Sequence, residues 1–534
     1  MTLTGPATYG SGGPWGPTAV ANAFSFPVQS GFTGLGETVA IIIDTAPVTS
    51  DLTTYFSYFQ TPTTSRTITS EAIDGGAGTG DQFEATLDSE TIGGLAPGAN
   101  IIIYEIPELS DEDINDAANQ TLVDGHANVV SMSFGGCEDG YEEAVTAQTF
   151  ATGTASDGVT FVASSGDFGN ECPATSTTNT PGVNYPASDP NVVGVGGNES
   201  ESSLTNPVAW NHSFAGLTES ATGGGVSTEF TLPSFQNGVT GTASSSTYRN
   251  VPDIALPSVN VAVYESGSWQ EGVGTSWSAP EFAAMMAEIN QYCGFSQGSG
   301  IGNAATLYTA FAAASSDFID VTSGSNQYNG NAPAPYYAAG TGYDNTTGLG
   351  LPIGISIAQS ACGATSASGH RARSAAARHS GRGPASVAIA LSHPTDRAFS
   401  LRARPTVLRS APDLGERSSA ATMRIQVELA PAAARMGGDS NVAAILRANG
   451  LSVTKTFRNH LIVDAQGTTA QVERLFATSI HNYAQWLHGT RYAPTGSITV
   501  PADLAPFVSG VLLNNAVTMH TPQRGISARG GFRF

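Results

Sequence analysis

The sequence predicts an α/β protein with a parallel sheet covered by helices on both faces, followed by a small α+β module. Two observations support this prediction. Through the first 365 residues, continuously apolar runs alternate with helical patterns, which is typical of strands buried on both faces of a parallel sheet. A second alternation, in the order β-α-β-β-α-β, follows residue 422 and is typical of a ferredoxin-like module.

The elements of the larger region follow in chain order. The apolar runs predict strands at 38–44, 100–105, 128–133, 159–164 and 192–195. The helical patterns predict helices at 81–92, 111–123, 141–156 and 278–292. Ligands of parallel sheets bind beyond the carboxyl ends of the strands, so we expect chemistry in the loops after residues 133 and 164.

The chain changes composition after residue 365. Ala, Ser, Arg and Pro dominate residues 366–422, which we interpret as a solvated linker between a domain at 1–365 and a module at 423–534. Within the module we predict six elements, namely strands 424–429, 452–457, 460–464 and 480–484 and helices 440–449 and 468–478.

Composition and charge exclude several classes of protein. Of the 534 residues, 40% are hydrophobic and 12% are charged, which excludes a coiled coil, a charge-rich disordered chain and a collagen. No apolar run approaches the roughly 18 residues that span a membrane. The net charge of -23 argues against a nucleic-acid partner.

The charge is divided unequally along the chain. Residues 1–365 carry 36 acidic residues and only two basic ones, Arg66 and Arg249, whereas residues 366–534 carry 19 basic and 8 acidic residues. The opposite signs predict that the two regions attract each other. The first region should also stay folded at acid pH, because few positive charges remain to repel one another once its carboxylates are protonated.

The four cysteines, Cys137, Cys172, Cys293 and Cys362, all lie in the acidic region. No C-x-x-C pair occurs, which argues against a zinc cluster and favours two disulfides formed in an oxidising compartment. Three pairings are open, and we favour the nearest neighbours, 137–172 and 293–362. The N-terminus shows neither the basic nor the apolar segment of a signal peptide, which conflicts with that compartment.

The segment Gly274-Thr275-Ser276-Trp277-Ser278-Ala279-Pro280 runs directly into a helical pattern. We expect Ser276 near a helix start and Pro280 in the first turn. A serine there lies near backbone donors, which favours a nucleophile, but it could equally cap the helix.

A serine nucleophile needs a base, and residues 1–365 contain only two histidines, His126 and His212, neither in a His-Gly-Thr setting. Glu84 and Asp88 lie four residues apart on the predicted helix 81–92 and therefore project from one face. Burial together would raise one pKa and let the pair share a proton. The more common outcome for an isolated E-x-x-x-D is a solvated acidic face.

Two further groups of carboxylates suggest chemistry. Asp167 follows the predicted strand 159–164, where a protonated carboxyl group could donate to an oxyanion; the alternative is a turn aspartate. Asp320 and Asp344 could hold a hard cation such as Ca²⁺ together with carbonyls of a glycine-rich loop. The spacing is not that of an EF-hand, and a pair of turn aspartates is the alternative.

Taken together and in this order, the motifs resemble the sedolisins, or serine-carboxyl peptidases, of the kumamolisin kind. The resemblance covers nearly all of residues 1–365. It rests on these segments: Glu84-Ala-Thr-Leu-Asp88, Ser165-Gly166-Asp167, Gly223-Gly224-Gly225-x-Ser227, Pro233-Ser234-Phe235-Gln236, Val251-Pro252-Asp253, Gly274-Thr275-Ser276-x-x-x-Pro280 and Asp320…Gly340-Thr341-Gly342-Tyr343-Asp344.

The resemblance implies a subtilisin-like fold and an endopeptidase that acts on proteins and peptides at acid pH. Ser276 would be the nucleophile, Glu84 its base, Asp88 the residue that orients Glu84, and Asp167 the oxyanion donor. We therefore expect a secreted monomer, with no nucleic-acid or membrane partner.

The resemblance also implies one structural Ca²⁺ ion and a disulfide near Cys137 and Cys172. The calcium ligands would be the side chains of Asp320 and Asp344 and three carbonyl groups, those of Val321, Gly340 and Gly342.

The sequence departs from the family at two places. Phe134 stands where many members have tryptophan, which would affect the pH profile. Residues 423–515 resemble the family's prosegment, which elsewhere precedes the catalytic domain, so either a circular permutation or an error of gene assembly is open. We expect the basic module to inhibit the acidic domain, and to be released when acid protonates the carboxylates that attract it.

Overall fold

The computed structural model describes residues 2–10, 13–78, 82–138, 142–175, 178–211, 220–295, 300–327, 336–362, 397–401, 405–409, 411–485 and 488–521. His212 and most of the predicted linker lie outside these residues.

A seven-stranded parallel sheet forms the centre of the larger domain, which confirms the predicted α/β class. Its strands in chain order are β1 (Thr38–Ile43), β2 (Ile68–Ala72), β3 (Asn100–Glu105), β4 (Val129–Met132), β5 (Thr160–Ser164), β6 (Val192–Asn198) and β7 (Ile254–Pro257). The spatial order is β7-β6-β5-β4-β1-β3-β2, and all six pairings are parallel. Strands β2 and β7 were not predicted. Because β2 is an edge strand with exposed polar residues, it lacks the continuous apolar signal of the buried strands.

In the described part of the larger domain, eight helices connect and flank the strands. They are α1 (Pro17–Ala23), α2 (Thr49–Tyr58), α3 (Phe83–Leu95), α4 (Asp111–Asp124), α5 (Glu142–Thr152), α6 (Thr275–Cys293), α7 (Ala305–Ala313) and α8 (Gly354–Cys362). Helices α3 and α6 pack against each other, and both contact β1. All thirteen residues of α3 are buried, so this helix lies inside the domain rather than on its surface.

Short antiparallel pairs complete the larger domain. They join Gly136–Cys137 with Asn184–Tyr185, Glu171–Thr175 with Thr178–Pro181, Gly225–Thr231 with Tyr248–Val251, Val259–Glu265 with Ser268–Val273, and Phe318–Ile319 with Leu351–Pro352.

The C-terminal module is built on a four-stranded antiparallel sheet with the order β9-β10-β8-β11. Its elements are β8 (Thr422–Leu429), β9 (Ser452–Thr456), β10 (Ile462–Thr468), β11 (Val508–Leu512), α9 (Thr406–Arg409), α10 (Pro431–Arg435), α11 (Asp439–Ala448) and α12 (Thr469–Phe476). The predicted fourth strand, 480–484, is wrong for this sheet. Residues Ile480–Gln485 instead pair with Gly489–Pro494, because β11 already occupies the free edge of β8.

The interpretation of residues 366–422 as a solvated linker is wrong for its last part. Phe399–Leu401 pairs with Ile498–Val500, and Asp413–Glu416 pairs with Ile480–Gln485, so backbone hydrogen bonds join both segments to the module. These two strands are only three and four residues long, which is too short for a periodic pattern to predict them.

The module is docked on the larger domain, and each contributes apolar side chains to the other. Val145 of α5 is buried in the core of the module, and Val517 and Met519 are buried in the core of the larger domain.

A disulfide joins Cys293 to Cys362, as predicted. Cys137 is also disulfide-bonded, whereas the side chain of Cys172 lies outside the described residues.

Within the described residues, no helix is both long enough and apolar enough to cross a lipid bilayer.

Candidate active site

The parallel sheet brings three polar residues to one edge. Asp44, Ser133 and Asp167 follow the carboxyl ends of β1, β4 and β5, which are neighbouring strands in the order β5-β4-β1. Carboxyl ends of parallel strands meet at the same edge, where ligands bind. Helices α3 and α6 begin with Glu84 and Ser276 as their second residues, and they pack against each other.

Glu84 and Asp88 form a buried acidic pair one turn apart on α3, with 5% and 0% of their surface exposed. The Ser133 hydroxyl donates to Asp88 Oδ1 at 2.6 Å. The alternative of a solvated acidic face is therefore wrong. Among the described residues, neither carboxyl group has an ion-pair partner, so no cation compensates their charge.

The environment raises the pKa of both carboxyl groups. Burial and the neighbouring Asp88 carboxylate raise the pKa of Glu84 well above its usual value, and the Ser276 hydroxyl lowers it in part. Burial raises the pKa of Asp88 to about 8, although the bond from Ser133 opposes this effect. Two interacting acids of this kind titrate as a unit and can hold one proton between them.

Ser276 is 3% exposed, and its hydroxyl lies close enough to the Glu84 carboxyl group to lower the pKa of that group. The N-cap of α6 is Gly274, so Ser276 does not cap the helix. Pro280 is the sixth residue of α6 rather than a residue of its first turn, because the helix begins three residues earlier than predicted. Proline has no N–H, so it cannot pair with the carbonyl of Ser276 inside the helix.

Asp167 is 1% exposed and contacts the start of α6. Its Oδ1 accepts hydrogen bonds from the backbone N–H of Thr275 at 2.8 Å and from the Thr275 hydroxyl at 3.0 Å. Its Oδ2 has no partner among the described residues. Burial raises the pKa of Asp167 to about 7, against the effect of the two bonds from Thr275.

Gly274 leaves room for the Asp167 carboxyl group. Its φ is +153°, and a Cβ atom at this position would lie 2.9 Å from Asp167 Oδ2. Asp167 Oδ2 therefore lies in the space immediately before Ser276.

The four predicted site residues come together around α3 and α6, because the carboxyl groups of Asp88 and Asp167 both act on Glu84 through space. Sequence reasoning missed Ser133, Thr275 and Asp44, which bond to these residues or raise the pKa of Glu84. A signal for Ser133 was available, since it ends a predicted strand. Nothing in the sequence indicated which acid its hydroxyl would contact.

The two aspartates of the predicted calcium site both accept hydrogen bonds from the glycine-rich segment 340–342. Both carboxylate oxygens of Asp320 accept from Gly342 N–H at 3.2 Å, and Asp344 Oδ2 accepts from Gly340 N–H at 3.0 Å. Asp344 Oδ1 accepts from the N–H groups of Thr346 and Thr347.

The donor set of this loop fits a hard cation. The carbonyl groups of Val321, Gly340 and Gly342 accept no hydrogen bond from a described residue and are free to act as ligands. No group of three or more His, Cys, Asp or Glu side chains is arranged for a metal among the described residues, so a cation would need these carbonyls.

The last described residues of the module pair with the edge that follows β4. Gly135 and His520 exchange two backbone hydrogen bonds, of 3.0 and 3.1 Å, and Met519 N–H donates to Leu109 carbonyl at 3.2 Å. This tail of the module therefore lies as an added strand two residues beyond Ser133.

Ion pairs hold the module against α4 and the loops beside it. Arg424 contacts Glu112 at 3.0 Å, Asp113 at 3.2 Å and Asp74 at 3.6 Å. Two further cations pair across the boundary, Lys455 with Asp116 at 3.0 Å and Arg491 with Glu108 at 2.6 Å. The predicted attraction between the acidic and basic regions is present as direct contacts.

The parallel sheet with a serine at the start of a buried helix is the arrangement of a subtilase-type serine peptidase. Residues 75–311 match the Subtilase family (Peptidase S8), and residues 432–515 match the activation domain of pro-kumamolisin.

Two similar proteins indicate which serine peptidases the chain resembles. The chain is 33% identical to kumamolisin of Bacillus sp. (strain MN-32) over 371 residues, which are 64% of this chain and 63% of that protein. It is 35% identical to sedolisin of Pseudomonas sp. (strain 101) over 315 residues, 53% of this chain and 51% of that protein.

The structure of Pseudomonas sedolisin, a serine-carboxyl proteinase, superposes with a TM-score of 0.54 at 29% identity and covers 65% of this chain and 98% of that chain. The chain thus spans between half and two thirds of the length of these curated relatives. The chain is similar to sedolisins in sequence and in structure, and the segment that matches the pro-kumamolisin activation domain lies C-terminal to the segment that matches the Subtilase family.

Proposed function

We propose that this protein is a serine-carboxyl endopeptidase that hydrolyses peptide bonds of proteins at acid pH. The observation that carries the proposal is the buried acidic pair of α3 beside the hydroxyl of Ser276, without an ion-pair partner among the described residues. A carboxylate in this position can accept the proton of the serine hydroxyl, as histidine does in other serine peptidases.

Ser276 Oγ attacks the carbonyl carbon of the scissile bond while Glu84 takes its proton. Asp88, held by Ser133, keeps the shared proton next to Glu84 and so adjusts its basicity. Glu84 then returns the proton to the leaving amine, and a water molecule hydrolyses the acyl-enzyme by the same steps in reverse order.

The oxyanion of each tetrahedral intermediate receives a hydrogen bond from the protonated carboxyl group of Asp167. The raised pKa of Asp167, about 7, keeps this group protonated in acid and ionises it as the pH rises. Activity is therefore lost on the alkaline side, when the donor becomes a negative charge that repels the oxyanion.

We propose that the module keeps the peptidase latent. Its tail pairs with Gly135 next to the site, in the manner of an added strand, and the ion pairs of Arg424 and Lys455 hold it there. The disulfide between Cys293 and Cys362 supports secretion into an oxidising compartment. We further propose a monomeric enzyme whose partners are peptide substrates and its own module.

The calcium site is a separate proposal. A bound Ca²⁺ ion would add positive charge between Asp320 and Asp344 and stabilise their loop. Chelation with EGTA should lower the melting temperature of the protein by several degrees, and added Ca²⁺ should restore it. Asp320→Asn should abolish this response; an unchanged response in that variant would refute the assignment.

Casein hydrolysis measured from pH 2 to 8 tests the peptidase proposal. The wild-type chain should be active only in acid, and Ser276→Ala should abolish activity. Pseudo-iodotyrostatin, which is bound in the Pseudomonas sedolisin structure, should inhibit hydrolysis. A maximum at neutral pH, or activity retained in Ser276→Ala, would contradict the proposal.

A further inference from the structure

We infer that Thr275 is a positioning residue that orients the Asp167 carboxyl group, so that its proton is held on Oδ2 and faces the oxyanion. This inference rests on the proposed peptidase function and names the residue that makes Asp167 a donor.

The two oxygen atoms of Asp167 have different surroundings. Oδ1 accepts two hydrogen bonds, from the backbone N–H and the hydroxyl of Thr275, at 2.8 and 3.0 Å. Oδ2 is buried and has no partner among the described residues. A carboxyl oxygen that accepts two donors has no free direction for a proton of its own, so protonation takes place on Oδ2.

The Thr275 hydroxyl is itself oriented by the loop that carries Asp167. Its Oγ1 accepts the N–H of Gly166 at 3.1 Å, which leaves the hydroxyl proton to point at Asp167 Oδ1. The chain of bonds therefore runs from Gly166 through Thr275 to Asp167. Thr275 is 0% exposed, so water does not replace this bond.

The position of Oδ2 matches a donor to the substrate. It lies 2.9 Å from the place of a Cβ on Gly274, two residues before the nucleophile Ser276 in sequence. If Oδ1 and Oδ2 of Asp167 exchanged positions, the proton would point toward Thr275. The oxyanion would then face the unprotonated oxygen, which cannot donate a hydrogen bond.

The charged groups that face Asp167 are acidic. Asp167 faces Glu84 of α3 and raises its pKa, as Asp88 and Asp44 also do. On the side of the module, the ring of His520 lies 6.3 Å from that of Phe168. Among the described residues, Thr275 is the donor of both hydrogen bonds to the Asp167 carboxyl group, so the orientation of this group depends on Thr275.

The test is Thr275→Val in the full chain, with kcat and KM measured from pH 2 to 8. We expect kcat to fall roughly 10-fold with KM unchanged, by the loss of one hydrogen bond that orients a charged or protonated group. Because the hydroxyl also stabilises the ionised form of Asp167, the alkaline limit of activity should move to higher pH.

Three variants keep this test decisive. Thr275→Ser should restore kcat and the original pH limit, because it restores the hydroxyl. Thr275→Ala removes the same hydroxyl and serves if the valine variant does not fold. Thr121→Val, which removes a buried hydroxyl bonded to Ala118 carbonyl in α4, is the matched control and should leave the pH limit unchanged.

A double variant isolates the role of the proton. In Asp167→Asn, the side chain cannot ionise, so adding Thr275→Val should lower kcat without moving the alkaline limit. An unshifted limit in Thr275→Val alone, with activity abolished in Ser276→Ala, would overturn this inference and leave the proposed function intact. Absence of hydrolysis in the wild-type chain would overturn the proposed function itself.

Discussion

The buried carboxyl groups of the candidate active site and those at the boundary with the module differ mainly in the side chains that they contact. In the candidate active site, Glu84, Asp88 and Asp167 contact hydroxyl and N–H groups. At the boundary with the module, Glu112 and Asp113 contact the guanidinium group of Arg424. Both groups are nearly inaccessible to solvent.

The difference shows that burial and counter-charge act separately on an acid. Without a cation, burial raises the pKa of Asp88 to about 8. Arg424 lowers the pKa of Glu112, yet burial and neighbouring acids still raise it to about 8. The boundary therefore contains more carboxyl groups than its basic side chains neutralise. Asp116 and Asp464 also face each other there, and both accept a hydrogen bond from the side-chain amide of Gln426.

The raised pKa values at the boundary bear on the expected response of the module to acid. Sequence reasoning predicts that protonation of the carboxylates weakens the attraction and releases the module, and this stays a prediction. Burial raises the pKa of Glu112 to about 8 and that of Asp116 well above its usual value, so these groups take up protons at a higher pH than exposed carboxylates do.

Removing the proposed base of the candidate active site should have the largest effect. Glu84→Gln should lower kcat by roughly 10⁴-fold, since loss of one member of a catalytic triad costs this much or more. Stability should not fall, because the variant removes a buried acid. The matched boundary variant, Glu112→Gln, should change kcat less than threefold; equal losses in both would show that the two groups of acids do not differ in role.

Removing a cation from the boundary should have the next largest effect. Arg424→Ala leaves Glu112 and Asp113 without their guanidinium partner, and solvent screens part of the loss because Arg424 is 43% exposed. We expect docking to weaken by about 1 kcal/mol and the activity of the intact chain to rise about fivefold. Arg417→Ala, whose side chain bonds within the module, is the control and should not release activity.

Asp167→Asn should have a smaller effect on rate and a clear effect on pH. The amide also donates a hydrogen bond, so we expect kcat within about 10-fold of wild type. Because the amide does not ionise, the loss of activity that begins near the pKa of Asp167, about 7, should move to higher pH. An unchanged alkaline limit would mean that another group determines it.

The pH dependence of stability should be the smallest effect. The pKa values of Asp88, Asp167 and Glu112 lie at about 8, 7 and 8, above their unfolded values. Their proton uptake stabilises the folded chain fully in strong acid, and this contribution is lost as the pH rises through 7 to 8. The melting temperature should therefore fall by roughly 5 °C or more between pH 4 and pH 8, by calorimetry. A melting temperature that rises over this range would contradict it.

Much of the fold could be predicted because buried parallel strands are apolar throughout. Strands β1, β3, β4 and β5 and helix α3 lie within a few residues of the predicted positions. The edge strand β2 escaped prediction because solvent covers part of it. In the module, either Ile480–Gln485 or β11 could complete the four-stranded sheet, and only the tertiary packing determines that β11 does so.

The sequence by itself determined the motifs, the order of the domains and the opposite charges of the two regions, because composition and spacing are properties of the chain. Only the tertiary structure decided that Glu84 and Asp88 are buried and that Ser133 and Thr275 bond to the site acids. It also decided which acids of α4 meet Arg424 and which acid of the module faces Asp116. The physical reason is that a hydrogen bond or a raised pKa depends on atoms a few ångströms apart in space, whose residues here are 45 to 350 positions apart in the chain.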